Sequence, residues 1–245
     1  FNLPWLLAME RRAFVRAGID LKWNTVPEGT GRMRELLGKG ELDLAVLVTE
    51  GAVRGILQGE PFRIASHFVD TPLTWGVHVG SASTITSVDQ LAGVPIAVSR
   101  LNSGSHLAAL AYARSKGWAL NENAIEVVND LPGAVERLKS PEPAVFFWEK
   151  YTTKHLVDDG TFRCVDEYRA SWPAFVIVAS EAALAEHPKE IQRLLKVIRD
   201  QAAGFMQKKT APEVIAQRYK LSVEDAKTWF SGVKWNTGGP VDVEA

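Results

Sequence analysis

Two glutamates occupy matching positions in the two halves of the chain. Glu50 follows the apolar run 42–48, and Glu149 follows the apolar run 143–148. Each run comes after a small turn and an amphipathic helical pattern. A carboxylate just past a strand can accept hydrogen bonds from a ligand's amino groups, or it can favour the start of the helix that follows. Two carboxylates could also perform acid–base chemistry, but nothing in the sequence places them at one scissile bond. The sequence leaves the binding role and the helix-end role open.

A second candidate lies where the segment SRLNSGSH follows a predicted strand and opens a helix. Serine is a good N-cap residue, and glycine lets a ligand approach the backbone. Free N–H groups at a helix start favour anions or hydrogen-bond acceptors. The alternative is ordinary helix capping. The candidate ligand contacts in this turn are Arg100, Asn102, Ser103, Gly104, Ser105 and His106. In the first half of the chain, Thr30 and Gly31 form a similar helix start that could bind a ligand. Here too the alternative is ordinary helix capping.

Five aromatic residues fall at positions that the predicted elements would bring towards a ligand: Phe1, Trp5, Phe68, Trp148 and Trp172. Most aromatic residues belong to cores. A strand end and a turn are nevertheless plausible places for stacking on a flat ligand, because ligand pockets are rich in aromatic side chains. The five histidines lack metal-ligand spacing, and the single cysteine, Cys164, has no base beside it in sequence. We therefore predict no catalytic residue, no metal site and no cofactor.

The elements that must position these residues alternate between strands and helices, which predicts parallel α/β sheets. In the first half we expect a helix over 4–17, strands over 19–26, 42–48 and 62–66, and a helix over 51–58. In the second half we expect helices over 87–92, 104–116, 132–139 and 149–157, with strands over 94–99, 125–128 and 143–148. Four helices, over about 181–186, 188–208, 212–219 and 222–231, end the chain.

Two isolated apolar strands interrupt this rhythm, at 73–79 and 175–180, and we interpret them as crossings between two lobes. Residues 1–70 plus 176–245 would form lobe I, and 71–175 would form lobe II. The expected fold is α/β, with two parallel-rich mixed sheets flanked by helices and joined by two hinge strands. A lobe of this kind should begin with a strand, whereas Phe1 to Trp5 is typical of a loop leading into a helix. We therefore expect the first strand to precede Phe1.

The composition is that of a globular protein with no charge signature for a polyanion. The 245 residues are 46% hydrophobic and 23% charged, with a net charge of −1. This balance gives no reason to expect nucleic acid or an anionic membrane as a partner. The longest apolar runs are far too short to cross a bilayer, so no transmembrane segment is predicted. We expect a monomer.

Several segments together resemble the type II periplasmic solute-binding proteins. They are FNLPWLLAMERRAFVRAGIDLKW, GTGRMRELLGKGELDLAVLVTEG, SRLNSGSH, WEKYTTKHLVDDGTFR and SWPAFVIVAS. The most similar branch is that of the nitrate-, sulfonate- and taurine-binding proteins, which also includes relatives of thiamine-pyrimidine synthase. The resemblance covers essentially the whole chain except the first strand.

This resemblance implies a two-lobed protein that closes around a small solute in the cleft between its lobes and delivers it to an ABC permease. It implies an extracytoplasmic or periplasmic location, with a cytoplasmic one as the alternative. It also implies ligand contacts at Phe1 and Asn2, at Thr30 and Gly31, at Thr49 and Glu50, at Asn102 to Ser105, and at Trp148 and Glu149.

The ligand class and the absence of chemistry are separate expectations. Arg100 and the helix starts could hold a sulfonate- or nitrate-class anion. Together with two acids and several aromatics, however, they suit a flat, amino-bearing heterocycle of the thiamine-pyrimidine kind better than a bare oxyanion. The chain lacks the cysteine-rich iron motif of the synthase branch, so we do not expect that activity. The alternatives are an enzyme on the same fold, such as a thiamine-precursor synthase or a menaquinone-pathway lyase, and a cytosolic ligand sensor.

Overall fold

The computed structural model describes residues 1–119 and 124–238. The chain divides into two compact units, each made of more than one stretch of sequence. The first unit contains Phe1–Pro27, Arg32–Thr71 and the chain from Trp172 onward, and the second contains Glu28–Gly31 and Pro72–Ser171. Residues 239–245, which the sequence assigns to lobe I, lie outside the described residues.

The first unit is built mainly of helices around a short strand. Its helices are α1 (Leu3–Glu10), α2 (Ala13–Arg16), most of α3 (Thr30–Gly38), α4 (Thr49–Leu57), α8 (Glu181–Glu186), α9 (Pro188–Met206), α10 (Ala211–Tyr219) and α11 (Val223–Ser231). Its strand β1 (Leu44–Val48) pairs antiparallel with the second half of β6 (Phe162–Ser180). A core cluster joins Leu37, Leu47, Phe62, Val176 and Val178, which are all at most 2% exposed.

The second unit has a parallel core that carries the Ser-rich turn. Its elements are β3 (Ile96–Val98), α5 (Gly104–Ser115), β4 (Ile125–Val127), α6 (Leu131–Lys139), β5 (Val145–Glu149) and α7 (Lys154–Asp158). Strand β3 pairs parallel with both β4 and β5, and β5 pairs antiparallel with the later part of β2 (Phe62–Gly80). Buried Ala97, Ala134, Phe146 and Phe162 form its core. Parallel strands covered on both faces carry continuous apolar runs, and FFW in β5 is such a run.

The α/β class and most predicted elements are confirmed, but the count of sheets is wrong. The strands follow one hydrogen-bonded order, β1-β6-β2-β5-β3-β4. The two segments predicted as isolated crossings, 73–79 and 175–180, are the second halves of 19-residue strands, β2 and β6. In β2, Asp70 and Pro72 are turn-forming types that suggested a break. The backbone N–H of Asp70 instead donates to the carbonyl of Lys234 at 2.8 Å, and this contact keeps the chain extended.

The predicted helix 4–17 is wrong as a single helix. It is split into α1 and α2 by Arg12, whose φ of 53° is left-handed and breaks the hydrogen-bond ladder. The predicted strand 19–26 is also wrong. These residues form no regular strand, and no ladder partner for them exists among the described residues.

Two predicted helices of the second half are shorter in the structure. The predicted helix 87–92 is a one-turn 3-10 helix at Val88–Leu91. The predicted helix 149–157 begins only at Lys154, because residues 149–153 form a turn that the Glu149 side chain caps. No helix in the described ranges is long and apolar enough to span a bilayer.

Candidate functional site

The Ser-rich turn at the start of α5 is held by a buried hydroxyl network. The Ser103 hydroxyl lies 3.0 Å from that of Ser105 and accepts a hydrogen bond from the N–H of His106 at 3.4 Å. The Ser105 hydroxyl in turn accepts from the N–H of Ser99 at 3.1 Å. Both serines are buried, so their hydroxyls primarily shape the turn. The N–H groups of the first helical turn, beginning at Gly104, have no carbonyl partner within the helix.

Asn102 and His106 fix the loop that leads into this helix. The N–H of Asn102 donates to Nδ1 of His106 at 2.8 Å. Asn102 has a φ of 65°, in the left-handed region that asparagine tolerates better than most residues. The His106 side chain therefore accepts a hydrogen bond within the turn itself. The spacing of the histidines in the sequence did not predict this contact.

Arg100 carries the positive charge of this site and lies against the turn before α3. A Cβ built on Gly31 would lie 3.8 Å from Nε of Arg100, and one built on Gly29 would lie 3.7 Å from Nη2. Among the described residues, no carboxylate forms an ion pair with this guanidinium, and the side chain is half-buried. The second unit thus brings together an arginine, the Thr30–Gly31 helix start and the α5 helix start. The position of Gly29 beside Arg100 could not be predicted from the sequence.

Trp148 and Glu149 lie at the end of β5 but serve local structure. The Trp148 ring stacks on Phe146 with a centroid distance of 5.2 Å. Oε2 of Glu149 accepts hydrogen bonds from the N–H and the hydroxyl of Thr152, at 2.7 and 2.6 Å. This carboxylate caps the turn that precedes α7.

A buried histidine supports the same turn, and sequence analysis did not assign it a role. His78 is 1% exposed and its Nε2 lies 2.9 Å from the Thr153 hydroxyl. That hydroxyl also lies 3.2 Å from the carbonyl oxygens of Glu149 and Lys150. The imidazole therefore has one hydrogen-bond partner, at Nε2, and Nδ1 is buried without a partner among the described residues. Burial lowers the pKa of His78 to about 4.

In the first unit, Glu50 and Trp172 form a direct pair. The indole N–H of Trp172 donates to Oε2 of Glu50 at 2.8 Å. Glu50 stands in the first turn of α4, where the helix dipole favours a negative charge. Burial nevertheless raises the pKa of Glu50, while the Trp172 hydrogen bond partly offsets that effect.

The remaining candidates of the first unit differ in burial. Trp5 and Phe68 are 3% and 1% exposed and contact each other edge to face, so both are core residues in this structure. Phe1 and Asn2 are half-buried beside them. The Oδ1 of Asn2 and the hydroxyl of Thr49 are buried and have no hydrogen-bond partner among the described residues. Which of these residues touch a ligand stays a prediction.

The described residues contain no cluster of three or more His, Cys, Asp or Glu side chains that could hold a metal ion. Cys164 is exposed when the whole residue is considered, but its thiol group is partly buried. This burial raises the pKa of the thiol and disfavours the reactive thiolate.

Comparison with solved structures defines the class: the chain has the type II periplasmic-binding-protein fold. Within that class, residues 75–168 match the family model of the Ca3427-like periplasmic-binding proteins. The Candida albicans CA3427 gene product, described as defining a new family with the generic periplasmic-binding-protein fold, is 25% identical. Its TM-score is 0.88, and the match covers 96% of this chain and 78% of that one.

Two bacterial proteins of lower identity share the fold. The alkanesulfonate-binding protein SsuA from Xanthomonas axonopodis pv. citri, bound to MOPS, is 16% identical with a TM-score of 0.75, over 94% of this chain and 82% of that one. The periplasmic aliphatic sulphonate-binding protein SsuA from Escherichia coli is 17% identical with a TM-score of 0.69, over 99% and 84%. No match was found among curated proteins.

Proposed function

We propose that this protein is an extracytoplasmic solute-binding protein for a small oxyanion of the sulfonate class. In this proposal Arg100 and the first turn of α5, both in the second unit, hold the anionic group. An ABC permease receives the solute. The observation that carries the proposal is the Arg100 guanidinium, which lies beside the Gly29–Gly31 turn with no carboxylate partner among the described residues.

The physical argument combines three sources of positive potential. A guanidinium offers paired N–H donors that match the geometry of an oxyanion. Two helix starts, at Thr30 and Gly104, add backbone N–H groups and the positive ends of helix dipoles. An unpaired guanidinium is favourably neutralised by an anionic ligand.

The acids that suggested an amino-bearing ligand have partners within their own units. Glu50 accepts from Trp172, and Glu149 accepts from Thr152. Glu50 lies in the first turn of α4, and Glu149 caps the turn before α7. These local roles explain the positions of both acids, so the acids give little support to a heterocyclic, amino-bearing ligand. The relatives named for sulfonate binding add to the case for an anion.

The test is the affinity of two matched arginine variants for a sulfonate. Arg100→Gln removes the charge at the site. Arg114→Gln removes the same charge from the exposed C-terminal turn of the same helix. We expect MOPS or a short alkanesulfonate to bind the wild type and Arg114→Gln equally in calorimetry. Arg100→Gln should bind about 10- to 150-fold more weakly, since hydrogen bonds to charged groups contribute about 1.5–3 kcal/mol. Equal affinities for all three proteins would contradict the proposed site.

A further inference from the structure

Five exposed cations cluster on the first unit, where the end of α1 meets the end of α10. They are Arg11, Arg12, Arg16, Arg218 and Lys220. Nη2 of Arg218 lies 2.5 Å from a carboxylate oxygen of Glu10, and this ion pair joins α10 to α1. The Arg16 guanidinium reaches back to the carbonyl oxygen of Arg11. We call these five residues the basic patch.

The basic patch keeps most of its positive charge. Glu10 neutralises Arg218, whereas the Arg11 side chain donates to the neutral side-chain amide of Gln201 at 3.3 Å. Within residues 1–119 and 124–238, no carboxylate forms an ion pair with the other four cations of the patch. The whole chain has a net charge of −1, so this excess is local. A concentration of unpaired cations on one face creates a positive potential that attracts an anionic partner.

Two of the five cations stand where the backbone favours another residue type. Four described residues other than glycine have a left-handed φ. Asn102 and Asn129 are of a type that tolerates this conformation. The other two are Arg12, at 53°, and Lys220, at 55°. Glycine would adopt this conformation more easily than either cation. Residues held in this region often mark functional sites, and both of these belong to the basic patch.

Two large side chains with apolar surface are exposed among the cations. Helix α2 buries Ala13 and Phe14 in the core, so Val15 faces solvent and is 59% exposed. Tyr219 lies between two cations of the patch in sequence and is 42% exposed. Basic residues interspersed with exposed apolar and amphipathic aromatic side chains are typical of protein surfaces that lie at a membrane–water interface.

We propose that the basic patch docks this protein on the surface of a membrane that contains anionic phospholipids. The cations bind lipid phosphates, which a guanidinium matches with paired N–H donors. Val15 and Tyr219 enter the headgroup region. An acidic protein surface would also attract the charges, but the combination of cations with shallow apolar groups favours a lipid surface. The proposal does not depend on the anion site at Arg100 or on the ligand class.

Sedimentation with lipid vesicles tests the proposal with two matched double variants of the full-length protein. Arg12→Gly combined with Lys220→Gly removes two charges from the patch. Both positions have a left-handed backbone that glycine adopts easily, so the melting temperature should not fall. The control combines Arg114→Gln with Arg169→Gln, two exposed arginines of the second unit. Neither pairs with a carboxylate in the part of the chain that the structure describes.

The wild type and the control variant should bind equally to vesicles of phosphatidylcholine mixed with phosphatidylglycerol. Neither should bind vesicles of pure phosphatidylcholine, and added salt should release the bound protein. The glycine variant should bind the anionic vesicles about 25-fold more weakly, because each basic residue near an anionic surface contributes about 5-fold. Arg11→Gln combined with Arg16→Gln, at positions of ordinary negative φ, should show a similar loss.

Equal affinity of the wild type and both patch variants for the anionic vesicles would overturn the proposal. Equal binding of the wild type to the two kinds of vesicle would overturn it too, because the lipid charge would then have no role. If the wild type binds polyglutamate but not the anionic vesicles, the patch fits an acidic protein, and the lipid surface is wrong as its partner.

Discussion

His78 is a buried neutral histidine, and its burial predicts a specific loss of stability in acid. Its Nε2 is hydrogen-bonded to the Thr153 hydroxyl, and its Nδ1 has no partner among the described residues. Protonation at Nδ1 would bury a charged N–H without an acceptor. This is why the folded protein holds the pKa of His78 at about 4, below the ordinary value of 6.5.

The sign and size of the effect follow from proton linkage. Between pH 6.5 and 4 the unfolded chain binds a proton at His78 and the folded protein does not. The stabilisation is therefore complete above about pH 6.5 and is lost as the pH falls towards 4. The full shift corresponds to about 3 kcal/mol, of which roughly 1.5 kcal/mol is lost by pH 5.5 and roughly 2.5 kcal/mol by pH 4.5.

The assay compares the free energy of unfolding in urea at pH 7.5, 5.5 and 4.5 for three proteins. His78→Gln cannot be protonated in this range, so its stability should fall less than that of the wild type by about 2.5 kcal/mol at pH 4.5. His155→Gln removes an exposed histidine of the same unit and should follow the wild type. Identical pH dependence of the wild type and His78→Gln would refute the buried neutral histidine.

Two further predictions concern packing and the Glu50 pair. Trp172→Phe removes the N–H that donates to Glu50, so it should raise the pKa of Glu50 in an NMR titration and cost about 1–3 kcal/mol of stability; an unchanged titration would contradict the hydrogen bond. Gly80→Ala places a Cβ 1.8 Å from the carbonyl oxygen of Leu138, so it should lower the free energy of unfolding by about 1–3 kcal/mol. Gly204→Ala in α9 adds a Cβ that meets nothing within 4 Å, so it should raise the free energy of unfolding by about 0.5–1 kcal/mol. Equal melting temperatures of the two glycine variants would contradict this account.

The elements that could be predicted from the sequence are those whose signals are local. The apolar runs of β1 and β5 predict buried strands, and the serine cap at Ser103 predicts the start of α5. Segment 19–26 has a strand's alternation, yet a strand needs a neighbour to bond, and no local pattern reveals whether one is present. The length of β2 was missed because a tertiary contact to Lys234 overrides the turn propensity of Asp70.

The candidate site was only partly predictable for the same reason. The residue types and their positions in the sequence suggested Arg100, Glu50 and Glu149 as individual ligand contacts. Long-range contacts decide their roles, and the sequence does not show these contacts. The Arg100 side chain lies against a turn about seventy residues earlier in the chain, and the indole N–H of Trp172 donates a hydrogen bond to Glu50. The paired acids suggested an amino-bearing ligand because their partners could not be foreseen.

The most direct test of the central claim is a calorimetric titration of the wild-type protein with two ligands of opposite character. One is a short alkanesulfonate, and the other is an aminopyrimidine without an anionic group. The proposed anion site predicts saturable binding of the sulfonate, weakened by added salt because charges meet at Arg100, and no binding of the aminopyrimidine. Binding of the aminopyrimidine without binding of the sulfonate would contradict the claim and return the two glutamates to the centre of the site.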